Sequence, residues 1–274
     1  MADHDLVNFE RSAFTHAGKT RDIFRLGSGP AVIVLAEMPG INPKVIGFAE
    51  RVAAIGCTAV VPHLFGRPGR DPFGHGKLRA GVYMARSIVP ACISREFTVW
   101  ATGKTSPVID WLRALAAAEH KRCGGPGVGA IGMCFTGGFA LAMATHPSVL
   151  APVLSQPSLP LTMNRKGRYN IDTSPADLDV VKGRCAAEGL QVLGMRFRSD
   201  TLVGDDRFRF LRDQLGDAFV AVELDDEDAN PAAALKPHSV VTEHLIDEPG
   251  TRTRAALDQV LDLFRTRLLT PSPA

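Results

Sequence analysis

The stretch VGAIGMCFTGGFALAMATH, Val128 to His146, decides how the rest of the chain is read. VGAIGM (128–133) is a short apolar run of the kind that forms a buried strand, and GGFALAMATH (137–146) reads as a helix of small apolar residues. Cys134 stands between them, flanked by Gly132 and by Gly137-Gly138. Small neighbours let the chain leave a strand and enter a helix through a sharp turn that exposes one side chain. A cysteine so placed sits at a helix N-terminus, where backbone N–H groups and the helix dipole favour thiolate, and where the N–H of Phe135 is available to an oxyanion. Cys134 is therefore the candidate nucleophile.

Outward from this stretch, short apolar runs alternate with longer amphipathic segments, the signature of parallel strands joined by crossover helices. AVIVLAE (31–37), TAVVPHLF (58–65), VLAPVLSQ (149–156), QVLGMRFRSD (191–200) and FVAVELD (219–225) read as further strands. Asn42 and Pro43 open a helix as N-cap and first-turn proline, and Gly56 closes it. SPVIDWLRALAAAEHKR (106–122), RFRFLRDQLG (207–216) and TRTRAALDQVLDLFRTRL (251–268) read as amphipathic helices. The expected fold class is α/β: a doubly wound, mostly parallel sheet with helices on both faces, in a single domain over residues 1–274. Residues 66–106 read as an irregular excursion containing the helical pattern KLRAGVYMARSIV, and 157–189 as a polar connector with a helix at PADLDVVKGRCAAE. TPSPA at the end reads as frayed.

Composition narrows the function. With 274 residues, 45% hydrophobic and 22% charged, the chain can bury a sizeable core. Lys+Arg 31 against Asp+Glu 29 leaves a net charge of +2 with no run of like charges, so no electrostatic footprint for nucleic acid is present. The N-terminal MADHDLVNFERS lacks the apolar core of a secretory signal, and no apolar run approaches the roughly 20 residues that cross a bilayer. Five widely separated cysteines, Cys57, Cys92, Cys123, Cys134 and Cys185, with no C-x-x-C pair, argue against a disulfide framework or zinc ribbon and for a reducing, cytoplasmic setting. Four of them, all but Cys134, read as structural thiols.

In open α/β sheets ligands bind beyond the carboxyl ends of the strands. Glu37, Cys134, Asp200 and the stretch from His238 to His244 stand at such ends. A nucleophile, an acid and a histidine in that chain order match the arrangement of an α/β-hydrolase triad. Asp200 is preferred to Asp205 and Asp206, which fall in the first turn of the next helix. Either His238 or His244 serves as the base. Gly127-Val128-Gly129-Ala130-Ile131-Gly132 matches a dinucleotide-binding pattern, but its glycines precede or lie within a strand and no acidic residue follows at about 20 positions. His63 and His75 read as loop residues, since their spacing matches no metal motif.

LAEMPGI (35–41), GMCFTGGFALAMA (132–144), RSDTLVGDDRF (198–208) and PHSVVTEHL (237–245) together resemble the dienelactone hydrolase family, cysteine-dependent members of the α/β-hydrolase superfamily. The resemblance runs from about Ala31 to Leu268. It implies Cys134 as nucleophile, Asp200 as orienting acid and His238, in the family's His-Ser pair, as base. It also implies that Glu37, which on spacing alone reads equally as a solvated loop residue, lies close to the nucleophile and assists thiolate formation. Met38 and Phe135 would then supply oxyanion N–H groups.

The implied activity is hydrolysis of a small-molecule ester or lactone through a thioester acyl-enzyme, with neither cofactor nor metal; a non-catalytic binding module and an acyl transferase are the alternatives. Two departures stand out. Thr136 replaces the usual glycine, which predicts a looser turn or a shifted helix. Ser239, Val240, Val241 and Thr242 follow His238 where the type member has a carboxylate-binding arginine, so an acidic dienelactone is not the expected substrate. Arg79, Arg86 and Arg95 are the arginines offered as replacements, and they read otherwise as solvated surface residues.

Overall fold

The computed structural model describes residues 6–74, 76–94, 96–97, 104–158 and 165–270. His75, Arg95 and the last four residues of the terminal TPSPA lie outside them.

Eight strands form one sheet: β1 (Glu10–His16), β2 (Lys19–Gly27), β3 (Ala31–Leu35), β4 (Thr58–Pro62), β5 (Val128–Met133), β6 (Val149–Ser155), β7 (Val192–Phe197) and β8 (Phe219–Leu224). Their order is β1-β2-β4-β3-β5-β6-β7-β8. From β4 to β8 every neighbouring pair is parallel. β1 and β2 pair antiparallel with each other, and β2 pairs antiparallel with β4. The expected doubly wound, mostly parallel sheet is thus present, extended at one edge by a hairpin that the strand pattern alone did not reveal. Its two-residue turn is Ala17-Gly18, both at positive φ (48° and 75°), the backbone twist that closes a tight hairpin. The hairpin is anchored to the helix α3 (Val108–Cys123): Trp111 Nε1 donates to Lys19 O at 3.0 Å, and Arg25 Nε donates to the buried Glu119 carboxylate at 2.9 Å.

Side chains alternate across each strand, so successive residues feed opposite layers. Ile33 and Leu35 face Trp111, Leu112 and Leu115 of α3 and Phe139 and Leu141 of α4 (Gly137–Met143). Val32 and Val34 face Phe48 and Val52 of α1 (Pro43–Ala54) and Leu257 and Phe264 of α8 (Arg252–Phe264). Two apolar layers therefore sandwich the sheet, which is why β3 is buried along its whole length.

Between these, α2 (Lys77–Ile93) forms a single 17-residue helix where the sequence reads only a short helical pattern within an irregular excursion. A single turn, α5 (Arg165–Arg168), precedes α6 (Pro175–Glu188), which has the bounds the sequence predicts, and α7 (Asp205–Leu215) precedes β8. No helix among the described residues is long and apolar enough to cross a membrane.

The entry to α1 follows its sequence signals. Asn42, extended at φ −101°, accepts from Lys44 N at 2.9 Å and Val45 N at 3.0 Å, and Pro43 fills the first helical position. Gly56, at φ +91°, follows the last turn. Because this cap is buried at the C-terminal edge of the sheet, Asn42→Ala should lower the unfolding free energy by about 1 kcal/mol, read by urea denaturation; an unchanged midpoint and slope would remove the cap from the account.

Candidate active site

The carboxyl ends of β3, β5, β6 and β7 and the loop after β8 meet at one edge of the sheet. Each contributes one element of a polar constellation.

Cys134 lies at the end of β5 with φ +53°, a left-handed conformation uncommon for a residue with a Cβ. The turn around it is tight, which corrects the looser geometry expected from Thr136. A Cβ at position 132 would lie 2.0 Å from Thr136 O, so only glycine fits there. The Thr136 side chain points away from that contact. Its Oγ1 accepts from Met133 N at 2.9 Å and lies 3.0 Å from both Leu35 O and Met133 O, so the residue ties the turn to β3.

Asp200 ends the turn after β7. Its carboxylate accepts from Leu202 N at 2.9 Å and from His238 Nδ1 at 2.6 Å, and the side chain is almost fully buried. The Nδ1–H therefore points at Asp200, leaving Nε2 as the atom free to accept a proton. Nε2 is buried and has no hydrogen-bond partner among the described residues. Burial alone would lower the imidazole's pKa; the charge of a Cys134 thiolate and the hydrogen bond donated to Asp200 outweigh it and raise it well above the usual histidine value.

The rival histidine is committed elsewhere. His244 is fully buried, its Nδ1 accepting from Ser239 N at 3.1 Å and its Nε2 lying 3.0 Å from Leu235 O. A backbone N–H on one nitrogen and a carbonyl on the other fix the Nε2–H tautomer. His244 thus braces the loop that carries His238.

Glu37 lies in the same cavity as Cys134 and His238, with its carboxylate enclosed by neutral donors: Ser239 Oγ, Thr242 Oγ1 and, at 3.2 Å, Gln156 Nε2. Met38 and Phe135 line that cavity as well. The sulfur of Cys134 has a different neighbour. Ser158 Oγ is 3.0 Å from Sγ, and Ser158 N donates to Cys134 O at 3.0 Å. Sequence reasoning missed both Gln156 and Ser158. They follow β6, whose end, Gln156-Pro157-Ser158, carries no acid, thiol or imidazole to mark it in the sequence.

Burial pushes the Cys57 thiol up to about 11 and also raises Cys123 and Cys185; the Cys92 side chain lies outside the described residues. His63 Nε2 is 3.0 Å from Gly66 O. Among the described residues, no group of three or more His, Cys, Asp or Glu side chains is arranged to hold a metal ion.

Beneath the turn lies a second buried polar group. Asp172 presses against Gly138 of α4 so closely that a Cβ there would fall 1.5 Å from Oδ1. Arg207, also buried, donates to Pro157 O at 3.0 Å and Gly167 O at 3.2 Å. Asp172 Oδ2, Thr173 Oγ1 and Arg207 Nε have no hydrogen-bond partner among the described residues.

The sheet order, the strand–turn–helix at Cys134 and the acid and histidine at later strand ends define the α/β-hydrolase fold. The sequence model of the dienelactone hydrolase family matches residues 22–179, more than half of the chain. The chain belongs to the dienelactone hydrolase family. A Synechocystis sp. protein provisionally named a carboxymethylenebutenolidase is 28% identical over 148 residues, 53% of this chain. The chain spans about half the length of that relative, 55%. Among solved structures, a Klebsiella pneumoniae protein provisionally named a dienelactone hydrolase superposes with a TM-score of 0.57 at 17% identity, covering 93% of this chain and 97% of its own. The dienelactone hydrolase of Anabaena variabilis gives 0.52 at 15% identity, covering 95% and 99%. At these identities the structural likeness speaks for the fold.

Burial pushes Asp172 from its ordinary 3.8 up to about 7, against the pull of Arg207, which burial pushes down to about 10. An acid whose folded pKa is raised contributes stability that is full below its unfolded pKa and lost as pH rises through the folded one. Asp172→Asn should therefore gain stability relative to the natural chain as pH is raised from about 4 to about 7, measured by chemical denaturation at each pH; a difference that stays constant across that range would show that Asp172 does not titrate there.

Proposed function

We propose that the protein hydrolyses small-molecule carboxylic esters or lactones by a cysteine mechanism. The observation that carries this reading is His238, bound through Nδ1 to Asp200 at 2.6 Å, with a buried, unpartnered Nε2 in the cavity that holds Cys134. A binding site has no use for an imidazole so oriented, whereas a general base requires it.

Nε2 takes the thiol proton and the thiolate attacks the substrate carbonyl. The N–H groups of Met38 and Phe135 stabilise the oxyanion. Collapse expels the alcohol oxygen, which the imidazolium protonates, leaving a thioester on Cys134. Water, deprotonated by Nε2, then attacks the thioester, and the returning proton restores the thiol as the acid departs. Asp200 holds the imidazole's tautomer and offsets its charge. Glu37 takes the assisting part in thiolate formation that the family resemblance implies. Because thiolate is a good leaving group, amides revert to reactant, and esters and lactones are the fitting substrates. The mechanism calls for no cofactor. It needs a reduced thiol, hence a reducing compartment such as the cytoplasm. It also needs residues 37, 134, 200 and 238 held in one unit, hence a single domain over 1–274.

The reading is tested on a p-nitrophenyl ester. Cys134→Ala and His238→Ala should each lower kcat by a factor of about 10³ or more, whereas Cys123→Ala should leave it unchanged. Turnover retained in Cys134→Ala, with the variant folded by circular dichroism, would refute the cysteine mechanism.

A further inference from the structure

The walls of the cavity beside Cys134 state more than the reaction type. It encloses about 450 Å³, within the range that takes a small organic ligand. Met38, Pro39, Phe73, Met84, Phe135 and Leu235 supply its apolar surface. Leu202 and Leu235 also line it and are 47% and 54% exposed, so the apolar surface continues outward to solvent. Large exposed apolar side chains at a cavity rim mark a place where an apolar group docks.

The charges point the same way. Glu37 and Glu243 line the cavity, and Lys44 is the one lysine or arginine among its described lining residues. Lys44 is partly exposed, and a hydrated ammonium on a flexible stem is a weak anchor for a carboxylate compared with a guanidinium fork. The guanidinium groups are elsewhere. Arg67, Arg70, Arg79 and Arg86 line a separate groove of about 640 Å³ with Tyr83, on whose ring Arg70 stacks at 4.4 Å, and the two cavities share no lining residue among the described ones. One helix divides them: α2 gives Met84 to the first and Arg79, Tyr83 and Arg86 to the second. Two of the arginines offered by the sequence as carboxylate anchors thus stand outside the cavity that holds Cys134.

We infer that the site selects esters whose acyl group is uncharged and apolar, and discriminates against acyl groups that carry a carboxylate. A carboxylate entering this cavity loses water beside the Glu37 and Glu243 carboxylates, whereas each methylene gains apolar contact. The inference rests on the hydrolase reading above, and the two fail separately.

The test compares p-nitrophenyl acetate, butyrate and hexanoate with the p-nitrophenyl monoester of succinic acid, which matches butyrate in acyl length but ends in a carboxylate. The expected kcat/KM rises along the neutral series by up to about fourfold per methylene until the cavity is filled. It should be lower for the succinate monoester than for butyrate by at least ~10-fold. The ratio of the two should be unchanged in the Arg79→Ala/Arg86→Ala double variant, whose residues line the separate groove. Cys134-dependent turnover that is equal or faster on the succinate monoester overturns the inference, as does loss of succinate turnover in the double variant. Turnover that survives Cys134→Ala instead overturns the hydrolase reading, whatever the ratio.

Discussion

The structure depends on one close approach: the backbone of residue 132 against the backbone carbonyl of Thr136. A chain leaving β5 reverses into α4 within three residues only if residue 132 has no Cβ and residue 134 accepts a left-handed φ. That conformation costs on the order of 1–3 kcal/mol for a residue with a side chain and persists only where the surroundings enforce it. Here they do. Thr136 is fully buried and its hydroxyl joins Met133 N–H to the carbonyl of Leu35, so the turn is fastened to the neighbouring strand. The residue that departs from the usual glycine closes the turn with its side chain instead of loosening it.

With the turn fixed, the parallel sheet does the rest. β3 and β7 lie on either side of β5 and β6, so Glu37 and Asp200 arrive from opposite sides of Cys134 at the same edge. The loop after β8 is too long to be positioned by the sheet alone. It is held by polar contacts: His244 bonds to Ser239 and Leu235, and Ser239 and Thr242 both donate to Glu37. Glu37 therefore binds the histidine loop to the end of β3. Its carboxylate is as much a part of the scaffold of His238 as of the cavity wall, which explains why an acidic side chain is kept buried there.

Much of this was legible in the sequence, for physical reasons that differ element by element. β3, β4 and β5 are buried on both faces, so they read as continuous apolar runs. α1 and α6 carry their own start signals, Asn42-Pro43 and Ser174-Pro175, and their bounds follow. β1 and β2 left no such trace. They lie at the sheet edge, β1 has no fully buried residue, and neither ERSAFTH nor KTRDIFRLG holds an apolar run longer than a pair of residues. Cys134 and Asp200 were visible because each follows closely on a strand end, and His238 because the resemblance marks its His-Ser pair. Ser158, Gln156, Ser239 and Thr242 were not, because a hydroxyl or amide becomes a partner only when the fold brings a distant carboxylate or thiol within about 3 Å.

The claim on which the account stands is that Cys134, of the five thiols, is the one that forms the bond to substrate. Intact-mass analysis after brief incubation with a slowly hydrolysed ester, followed by peptide mapping, tests it directly. The account predicts one acyl group per chain, on the peptide containing Cys134, absent when the chain is denatured before incubation and absent from Cys134→Ala. An acyl group found instead on Cys57, Cys92, Cys123 or Cys185, or hydrolysis that proceeds with Cys134 unmodified, would contradict it.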